Sequence, residues 1–457
     1  MASDLCSAAL EAAGLLAGGE GGDIFIEDTF RERVLVEDQR VLSAESSSTK
    51  GATARLQRGG ETRHASASSP SAKGIIALAR DIAAPGIQPL HLTADLTSAS
   101  TSVLLPLEEV PLKEKAELCL FAERVARKNN PLIKQVKVAL GTRRRRTIIS
   151  NPNGIFVEQL ISGANLSILA VASDGIVTQT GYEALGGTGG WELMDRDKIE
   201  ALADMAARRA AKLVAARTAP GGKMAVVLAA EAGGTMVHEA VGHGLEGDLV
   251  LGGHSIYEGK LGKRVASPLV SVIDDPTIAR LNGAYAFDDE GTPAAPSLLI
   301  EDGILKRFLT DRKSAGIMGL PETASARRES YLSPPIPRMS NTIIAPGESP
   351  PAEVLAATSR GLYVTRMGGG EVNTLSGEFV FEVSEGFIIE DGEVGELVRG
   401  ATIAGNGPEA LNAIDMVGDD LGYSLGTCGK DNQGVPVADG QPTIRISELI
   451  VGGRVEQ

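Results

Sequence analysis

Met236-Val-His-Glu-Ala-Val-Gly-His-Gly-Leu245 brings together three side chains able to bind or serve a metal ion. His238 and His243 supply imidazoles, which are suited to zinc, in a chain that has only five histidines. Glu239 lies beside the first of them, where a carboxylate can take a proton from water that the metal activates. The stretch therefore predicts a metal-dependent hydrolytic site, and the alternative is that two histidines and a glutamate merely fall together on a polar helix face.

The spacing of the two histidines predicts a distorted helix. In the familiar H-E-x-x-H box the histidines are four residues apart and share one helical face. Here they are five apart, and five steps along an α-helix leave the second imidazole ~140° away from the first. A one-residue bulge would bring both to one side, and Gly242 is the residue that most easily permits it. We expect the helix to be distorted, or to end, near Gly242.

The surrounding sequence predicts an α+β fold with two domains. Residues 1–219 read as a sheet-plus-helices domain, and residues 220–457 as a larger, β-rich domain that carries the metal-site helix. The boundary is placed at Pro220-Gly-Gly222, a strong break signal. Residues 223–230 then read as a buried strand, and Gly233-Gly234 turns it into the helix of His238.

Hydrophobic periodicity predicts the remaining elements. In the first domain, helices are expected at 3–16, 72–84, 111–130 and 196–217, and strands at 23–27, 33–38, 51–57, 63–67, 133–140, 147–150, 155–160, 166–172 and 176–180. Residues 86–110 are predicted to be a connection and 186–190 a flexible loop. In the second domain, strands are expected at 269–273, 297–301, 304–309, 378–383, 387–390 and 443–451, with a helix at 353–360.

Composition narrows the class of protein. The net charge of −15 and the isoelectric point near 5.0 argue against general nucleic-acid binding. Four arginines at 143–146 are the local exception; a solvated cluster at a strand end is the favoured interpretation, and contact with an acidic partner or substrate is the alternative. Three scattered cysteines, no signal-peptide pattern and no long apolar stretch predict a soluble, cytoplasmic protein without membrane segments.

Chemistry alone does not identify the third metal ligand. A catalytic zinc usually has three protein ligands and one open position. Cys428, in a glycine-rich stretch expected to be a loop, would bind as thiolate. The other candidates are His254, Glu246, Asp248 and the acidic run 288–290.

Seven blocks of sequence, in order along the chain, resemble the TldD/PmbA family of metalloproteases and specifically its TldD branch. The blocks are residues 236–248, 287–293, 327–331, 337–342, 368–370, 428–430 and 440–443. The first half of the chain is similar more loosely. The four arginines at 143–146 and the loop around His254 are not part of the pattern.

The resemblance implies a Zn²⁺ site with His238, His243 and Cys428 as ligands and Glu239 as general base. The PmbA/TldE branch lacks the metal box, so the resemblance implies that this chain is the catalytic subunit. It implies a metal-free TldE/PmbA-type partner, with self-association as a dimer when the chain is alone. The family is associated with degradation of unfolded or flexible peptides, with trimming of peptide precursors such as microcins and antitoxins, and by name with modulation of DNA gyrase.

The expected reaction is peptide hydrolysis. Glu239 would take a proton from water and deliver it to the leaving amine. Tyr331 or Arg328 is a candidate donor to the developing oxyanion, with a structural ion pair as the competing role for this block. An extended peptide could add as a strand to a sheet edge, which would select unfolded chains.

Two other functions compete with this one. The first is a regulatory binding protein of the gyrase-modulator type, in which the metal is structural and no peptide is cleaved. A structural zinc normally has four protein ligands, so the number of ligands discriminates between them. The second is a metal hydrolase of another amide, such as a small peptide conjugate, which a substrate panel would test.

Overall fold

The computed structural model describes residues 2–19, 21–86 and 88–453. One helix-backed sheet occupies the first half of the chain, and two further β-structures occupy the second. This arrangement confirms the α+β prediction.

The first sheet has seven strands and is antiparallel except at one edge. Its order is Glu61–Ser68, Arg40–Arg58, Gly21–Glu37, Ile133–Ser150, Phe156–Ser173 and Thr97–Ser100, with Thr178–Thr188 also paired to the strand at 156–173. Thr178–Thr188 has no second strand partner among the described residues, so it is an edge strand. On this strand the Tyr182 carbonyl accepts from Arg209, and the N–H of Thr188 donates to the carbonyl of Arg280.

Four helices cover one face of this sheet. They are Ala2–Leu15, Ala72–Ile82, Leu112–Asn129 and Arg196–Ala215. Even-numbered residues of the strand Gly21–Glu37, such as Ile24 and Val34, pack into the apolar clusters beneath the helices. Successive strand residues alternate between faces, so the odd-numbered residues point to the opposite face.

That opposite face meets the second half of the chain through buried ion pairs. Arg55 bonds both Asp23 and Glu290, and all three side chains are buried. Arg145 donates to Asp289 over 3.0 Å and also pairs with the carboxylate of Glu27. Such networks hold two parts of a chain in one register, because an unpaired buried charge is costly.

The strands of the first half are longer than predicted. Single strands, Gly21–Glu37 and Ile133–Ser150, replace the pairs expected at 23–38 and 133–150, so the four arginines lie mid-strand and not at a strand end. The connection at 86–110 contains the strand Thr97–Ser100 and a 3₁₀ turn, Leu107–Glu109. The glycine tract begins inside the strand Thr178–Thr188. Backbone pairing with neighbours on both sides carries these strands through residues whose side chains break the periodic pattern.

The second half contains a six-stranded sheet and a closed set of strands. The six strands, in order, are Ile304–Leu305, Ser297–Glu301, Val272–Asp274, Asn341–Ile344, Gln433–Gln441 and Gly422–Lys430. The closed set contains Arg360–Val372, Gly222–Leu228, Ile444–Gly452, Thr402–Asn406 and Glu378–Glu390, and pairing of its first and last members closes the ring. The strands Glu393–Arg399, Arg217–Thr218 and Ile414–Val417 extend it.

Several predictions for the second half need correction. The helix expected at 353–360 is the shorter Pro351–Ala356, and the strand expected at 304–309 ends at Leu305. A two-stranded pair, Ala326–Arg327 with Ile336–Pro337, was not predicted, and neither were the strands Arg360–Val372 and Thr402–Asn406 of the closed set. Short helices occur at Gly247–Leu251, Arg312–Met318 and Gly407–Asn412. Among the residues described, no helix has the length and apolar character required to cross a bilayer.

The histidine segment lies inside the largest apolar cluster of the molecule. Met236, Val237, Ala240, Val241 and Leu245 are all buried in that cluster. The apolar positions of the segment thus face the core, and the polar side chains between them are held at fixed positions at its edge.

Candidate metal centre

The helix that carries the two histidines is not a regular α-helix. Thr235–Val237 forms one α-helical turn, His238–Gly242 is a π-helix, and His243–Leu245 is a 3₁₀ turn. The backbone N–H of His243 donates to the carbonyl of His238, which is the five-residue step of a π-helix. This geometry confirms the predicted distortion near Gly242. Tyr257 Oη donates to the Ala240 carbonyl over 3.2 Å within this distorted turn.

Gly242 is required by a close contact as well as by the bulge. A Cβ at this position would overlap the sulfur of the buried Met339. We expect Gly242→Ala to lower the free energy of unfolding by about 1–3 kcal/mol, the usual cost of overpacking a core. Denaturant unfolding would measure it, with Gly429→Ala as the control because its Cβ would meet no atom within 4 Å.

A double variant can test whether the contact with Met339 is the cause of the lost stability. In a Met339→Ala background the sulfur is absent, so adding Gly242→Ala should cost much less than it does alone. Equal costs in both backgrounds would contradict the contact as the cause.

The distortion brings both imidazoles against the thiol of Cys428. The two ring centroids are 5.1 Å apart and the rings are nearly perpendicular. His243 Nε2 lies 3.4 Å from Cys428 Sγ, and one ligand atom from each of the three residues lies within 4.8 Å of the others. Zinc bonds of ~2.0–2.3 Å at tetrahedral angles need ligand atoms that close to one another.

Each imidazole is oriented by a carboxylate. His238 Nδ1 lies 2.7 Å from an oxygen of Asp439, and His243 Nδ1 lies 3.0 Å from an oxygen of Glu246. Glu246 is fully buried and is also approached by Lys430 Nζ at 3.1 Å. A carboxylate on one ring nitrogen leaves the other free to face a metal ion, which is how metal-binding histidines are commonly held.

The electrostatics of the cluster favour a thiolate. Burial opposes ionisation of Cys428, but hydrogen bonds and positive charge from His238 and His243 outweigh burial and lower the pKa of the thiol to about 5. Burial likewise favours a neutral His243, yet the Glu246 carboxylate and the Cys428 thiolate together outweigh it and raise the pKa of this imidazole to about 10. A divalent cation replaces the imidazole protons when it binds, so its binding releases protons.

Glu239 reaches the open side of the cluster. Its carboxylate lies 4.0 Å from His243 Nε2, and its side chain is 27% exposed while those of the two histidines are almost fully buried. Burial is the main cause that raises the pKa of Glu239, and the two imidazoles oppose it. Glu239 and the three clustered side chains line one cavity of about 700 Å³. We call this the metal cavity.

Cys428 reaches the cluster from a strand and not from a loop as expected. Gly422–Lys430 is the end strand of the six-stranded sheet, in a hairpin with Gln433–Gln441. Arg338 fixes its backbone by donating to the Cys428 carbonyl over 2.6 Å. A strand held in this way positions the thiol more rigidly than a glycine-rich loop would.

The other third-ligand candidates have different roles or positions. Glu246 orients His243, and Asp248 accepts from Lys430 Nζ over 2.7 Å. His254 is exposed in its loop. In the acidic run, Asp288 accepts backbone N–H groups. The next two residues, Asp289 and Glu290, pair with Arg145 and Arg55 of the first half of the chain.

The candidate oxyanion donors do not line the metal cavity. The Arg328 side chain is fully buried, 3.3 Å from Asp23, and its guanidinium lies 4.1 Å from the centre of the Phe25 ring. Tyr331 packs on Phe25 and Ile149. Both side chains therefore contact the first sheet, in the structural role that the sequence kept open for this block.

Sequence reasoning missed Asp439 and the orienting role of Glu246. Asp439 lies one residue before the block at 440–443, in a strand whose other residues, apart from a glutamine at each end, are apolar or small. A single acid in such a buried strand is a signal that could have identified it, because buried carboxylates are rare without a partner.

Two family models match this chain, and both describe domains of one metallopeptidase family. The sequence matches a family model described as the PmbA/TldA metallopeptidase C-terminal domain over residues 221–453, and the central domain of the same family over residues 105–214. The predicted domain boundary at 219/220 lies between the two matched segments and stays a prediction.

Relatives of similar length bear metalloprotease names. A protein of Methanothermobacter thermautotrophicus named metalloprotease is 36% identical over 441 residues, covering 95% of this chain and 96% of that protein. A Haemophilus influenzae protein named metalloprotease TldD homolog is 38% identical and covers 78% of this chain and 75% of its own. One from Saccharolobus solfataricus, named zinc metalloprotease TldD homolog, is 36% identical over 64% of this chain and 66% of its own.

Solved structures share the fold. TldE from Thermococcus kodakarensis superposes with a TM-score of 0.71 at 19% identity, covering 95% of this chain and 97% of its own. A Thermotoga maritima protein whose name links it to DNA gyrase modulation superposes with a TM-score of 0.77 at 23% identity, covering 94% and 96% of the two chains.

Proposed function

This chain belongs to the PmbA/TldD metallopeptidase family, and on that premise we propose that it is a zinc-dependent peptidase acting on unfolded or flexible peptides. The observation that carries the proposal is the convergence of His238, His243 and Cys428 on one point, with Glu239 beside them in an open cavity. The two imidazoles and the thiolate would hold the ion. Zinc bound there supplies Lewis acidity toward a carbonyl and toward water.

The residues of the chain would divide the remaining work. Glu239 accepts the proton of the attacking water and delivers it to the leaving amine, since its carboxylate alone among the cluster is partly exposed. Asp439 and Glu246 keep the imidazoles oriented and so keep their free nitrogens directed at the ion.

The shape of the metal cavity supports a preference for unstructured chains. Two end strands, Gly422–Lys430 and Thr178–Thr188, contribute residues to its wall. An extended peptide can pair with a free strand edge through its backbone, whereas a folded domain has no free strand to offer.

A metal-stabilised regulatory protein without peptidase activity is the competing function. It would need a fourth protein ligand in place of an open position. Among the described residues the cluster contains three ligand side chains and opens into the metal cavity, which supports the peptidase. For the partner, we propose a metal-free TldE/PmbA-type subunit, supported by the shared fold with TldE, or a second copy of this chain.

Removing the metal should abolish hydrolysis. We expect dialysis against a chelator to reduce cleavage of an unstructured fluorogenic peptide by at least ~10³-fold, and one equivalent of Zn²⁺ to restore it. Metal analysis and peptide hydrolysis would be measured together, with and without a TldE-type subunit. A folded domain carrying the same peptide sequence is the matched substrate control. Full activity in the metal-free protein would rule out the proposed function.

A further inference from the structure

A second cavity, of about 520 Å³, lies between the first sheet and the hairpin that carries Cys428. Arg31, Arg143 and Arg327 line it, and none of them has a carboxylate within ion-pair distance among the residues the structure describes. We call this the arginine cavity. Arg327 donates only to the carbonyls of Met339 and Pro436.

Arg31 and Arg143 lie directly opposite each other on paired antiparallel strands. Like charges in that position destabilise a sheet. Burial, followed by the positive charges of Arg145 and Arg31, lowers the pKa of Arg143 to about 9, and burial also lowers the pKa of Arg31. A guanidinium keeps its proton in a folded protein, so Arg31 and Arg143 both carry positive charge in the cavity wall and repel each other.

In contrast, the next arginine on the same face is neutralised by carboxylates. Arg145, two residues beyond Arg143, is paired with both Asp289 and Glu27. Three glutamates also line the arginine cavity: Glu32 pairs with Lys115, while Glu45 and Glu329 are exposed to solvent. Glu329 is exposed at the rim and accepts the N–H of Gly434.

The two cavities adjoin each other. Thr427, the residue before Cys428, lines both of them. The strand Thr178–Thr188 contributes residues 182–184 to the metal cavity and residues 187–188 to the arginine cavity. Three to five residues of extended chain span ~10–17 Å, so a bound peptide a few residues long can occupy both cavities.

We propose that Arg31 and Arg143 bind a carboxylate of the peptide substrate, a few residues from the bond that is cleaved. This inference rests on the proposed peptidase function and adds a specificity determinant to it. Arginine pairs suit a carboxylate, because two guanidinium forks present several charge-assisted N–H donors to its oxygens. The carboxylate is either the C-terminus of the peptide or an acidic side chain, and both present the same chemistry.

Binding is best measured apart from catalysis. The Glu239→Gln variant keeps the full chain and leaves the peptides intact. Four labelled peptides of one unstructured sequence would be compared by fluorescence anisotropy at 0.15 M salt: one capped at both ends, one with a free C-terminal carboxylate, one capped with an internal Glu, and one capped with an internal Lys. We expect one of the carboxylate peptides to bind about tenfold tighter than the capped peptide, as one charged hydrogen bond allows.

Arg143→Gln should reduce this tenfold preference to near parity. Arg144→Gln is the matched control: its side chain leaves the same strand on the opposite face, where it pairs with Glu108, and the preference should persist in it. Arg143→Gln should not lower the melting temperature, since it removes a repulsive charge, and this separates a binding role from a structural one. The pair of carboxylate peptides identifies which carboxylate is bound.

Two outcomes would overturn the inference: no preference for either carboxylate peptide, or a preference that survives Arg143→Gln. Failure of the proposed function looks different. In that case the zinc-loaded parental chain hydrolyses none of the four peptides, while the binding preference and its loss in Arg143→Gln still stand.

Discussion

Replacing Glu239 by glutamine is expected to lower kcat for an unstructured peptide by about 10³-fold without reducing the zinc content of the protein. The amide matches the carboxylate in size but cannot accept a proton from water. Glu239 is not one of the three clustered ligand side chains, and its carboxylate lies 4.0 Å from His243 Nε2, so the ligands should keep their positions. Glu239→Ala should behave in the same way.

The control for this change is a second carboxylate in the metal cavity. Glu231 lines the same cavity and pairs with Arg366 at 3.2 Å, away from the imidazoles. Glu231→Gln should leave kcat within about twofold, as expected for an exposed ion pair. Kinetics and metal analysis on the same preparations would measure both. Parental activity in Glu239→Gln would show that another group moves the proton.

Replacing Cys428 by alanine is expected to weaken zinc binding by more than ~100-fold and to abolish hydrolysis with it. The thiolate is the one anionic ligand in the cluster, and its loss should exceed the ~10–100-fold typical of losing a partner that only orients a ligand. Competition with a chromophoric chelator would measure the affinity. Cys6→Ala, which changes a cysteine that packs at the edge of the helix-covered core, should bind zinc like the parent.

The zinc affinity of an Asp439→Asn variant provides a comparison for that of Cys428→Ala. Asp439→Asn keeps the three ligands and removes only the charge beside His238 Nδ1, so its affinity should fall by ~10–100-fold, between the parent and Cys428→Ala. If Asp439→Asn lost as much affinity as Cys428→Ala, Asp439 would be acting as more than an orienting group. If Cys428→Ala kept parental affinity, the thiolate would not be a ligand.

Together, the two proposals fix the direction in which a peptide would lie across the metal cavity and the arginine cavity. A peptide whose carboxylate contacts Arg143 places its backbone along the strands that line both cavities, with the cleaved bond near Glu239. The chain would then combine backbone pairing, which accepts most sequences, with one charged contact that sets where cleavage occurs. Broad selection of unfolded chains and a defined distance from a carboxylate are compatible in such a site.

By itself, the sequence determined the metal segment, the α+β class and the distortion of the helix. Two histidines five positions apart cannot share one face of a regular helix, and this follows from the geometry of 3.6 residues per turn with no knowledge of the fold. The π-helix at His238–Gly242 was predictable because its cause is local. Its glycine was predictable for the same reason, although the contact with Met339 was not.

Only the tertiary structure decided which side chains surround that segment. Residues 425–430 are poor in β-formers and were expected to be a loop, yet pairing with Gln433–Gln441 makes them part of the strand Gly422–Lys430 and aligns Cys428 with the imidazoles. The same pairing brings Asp439 to His238 across 201 residues of sequence. Strand formation in such segments depends on the neighbouring strand more than on intrinsic preference, so local patterns carry little information about it.

For the charged residues too, the sequence shows which side chains are present, and only the tertiary structure decides how they pair. The arginines at 143–146 are evident in the sequence, but whether each one is neutralised depends on which carboxylates the second half of the chain places against the sheet. Arg145 forms an ion pair with Asp289, whereas Arg143 forms none with any described residue, although they lie on one face of one strand. Arg328, a candidate for the active site by sequence, is fully buried against Asp23 for the same reason. Charge pairing over such separations is a property of the packed chain, since the Coulomb energy depends on distance in space and on burial, neither of which the order of residues specifies.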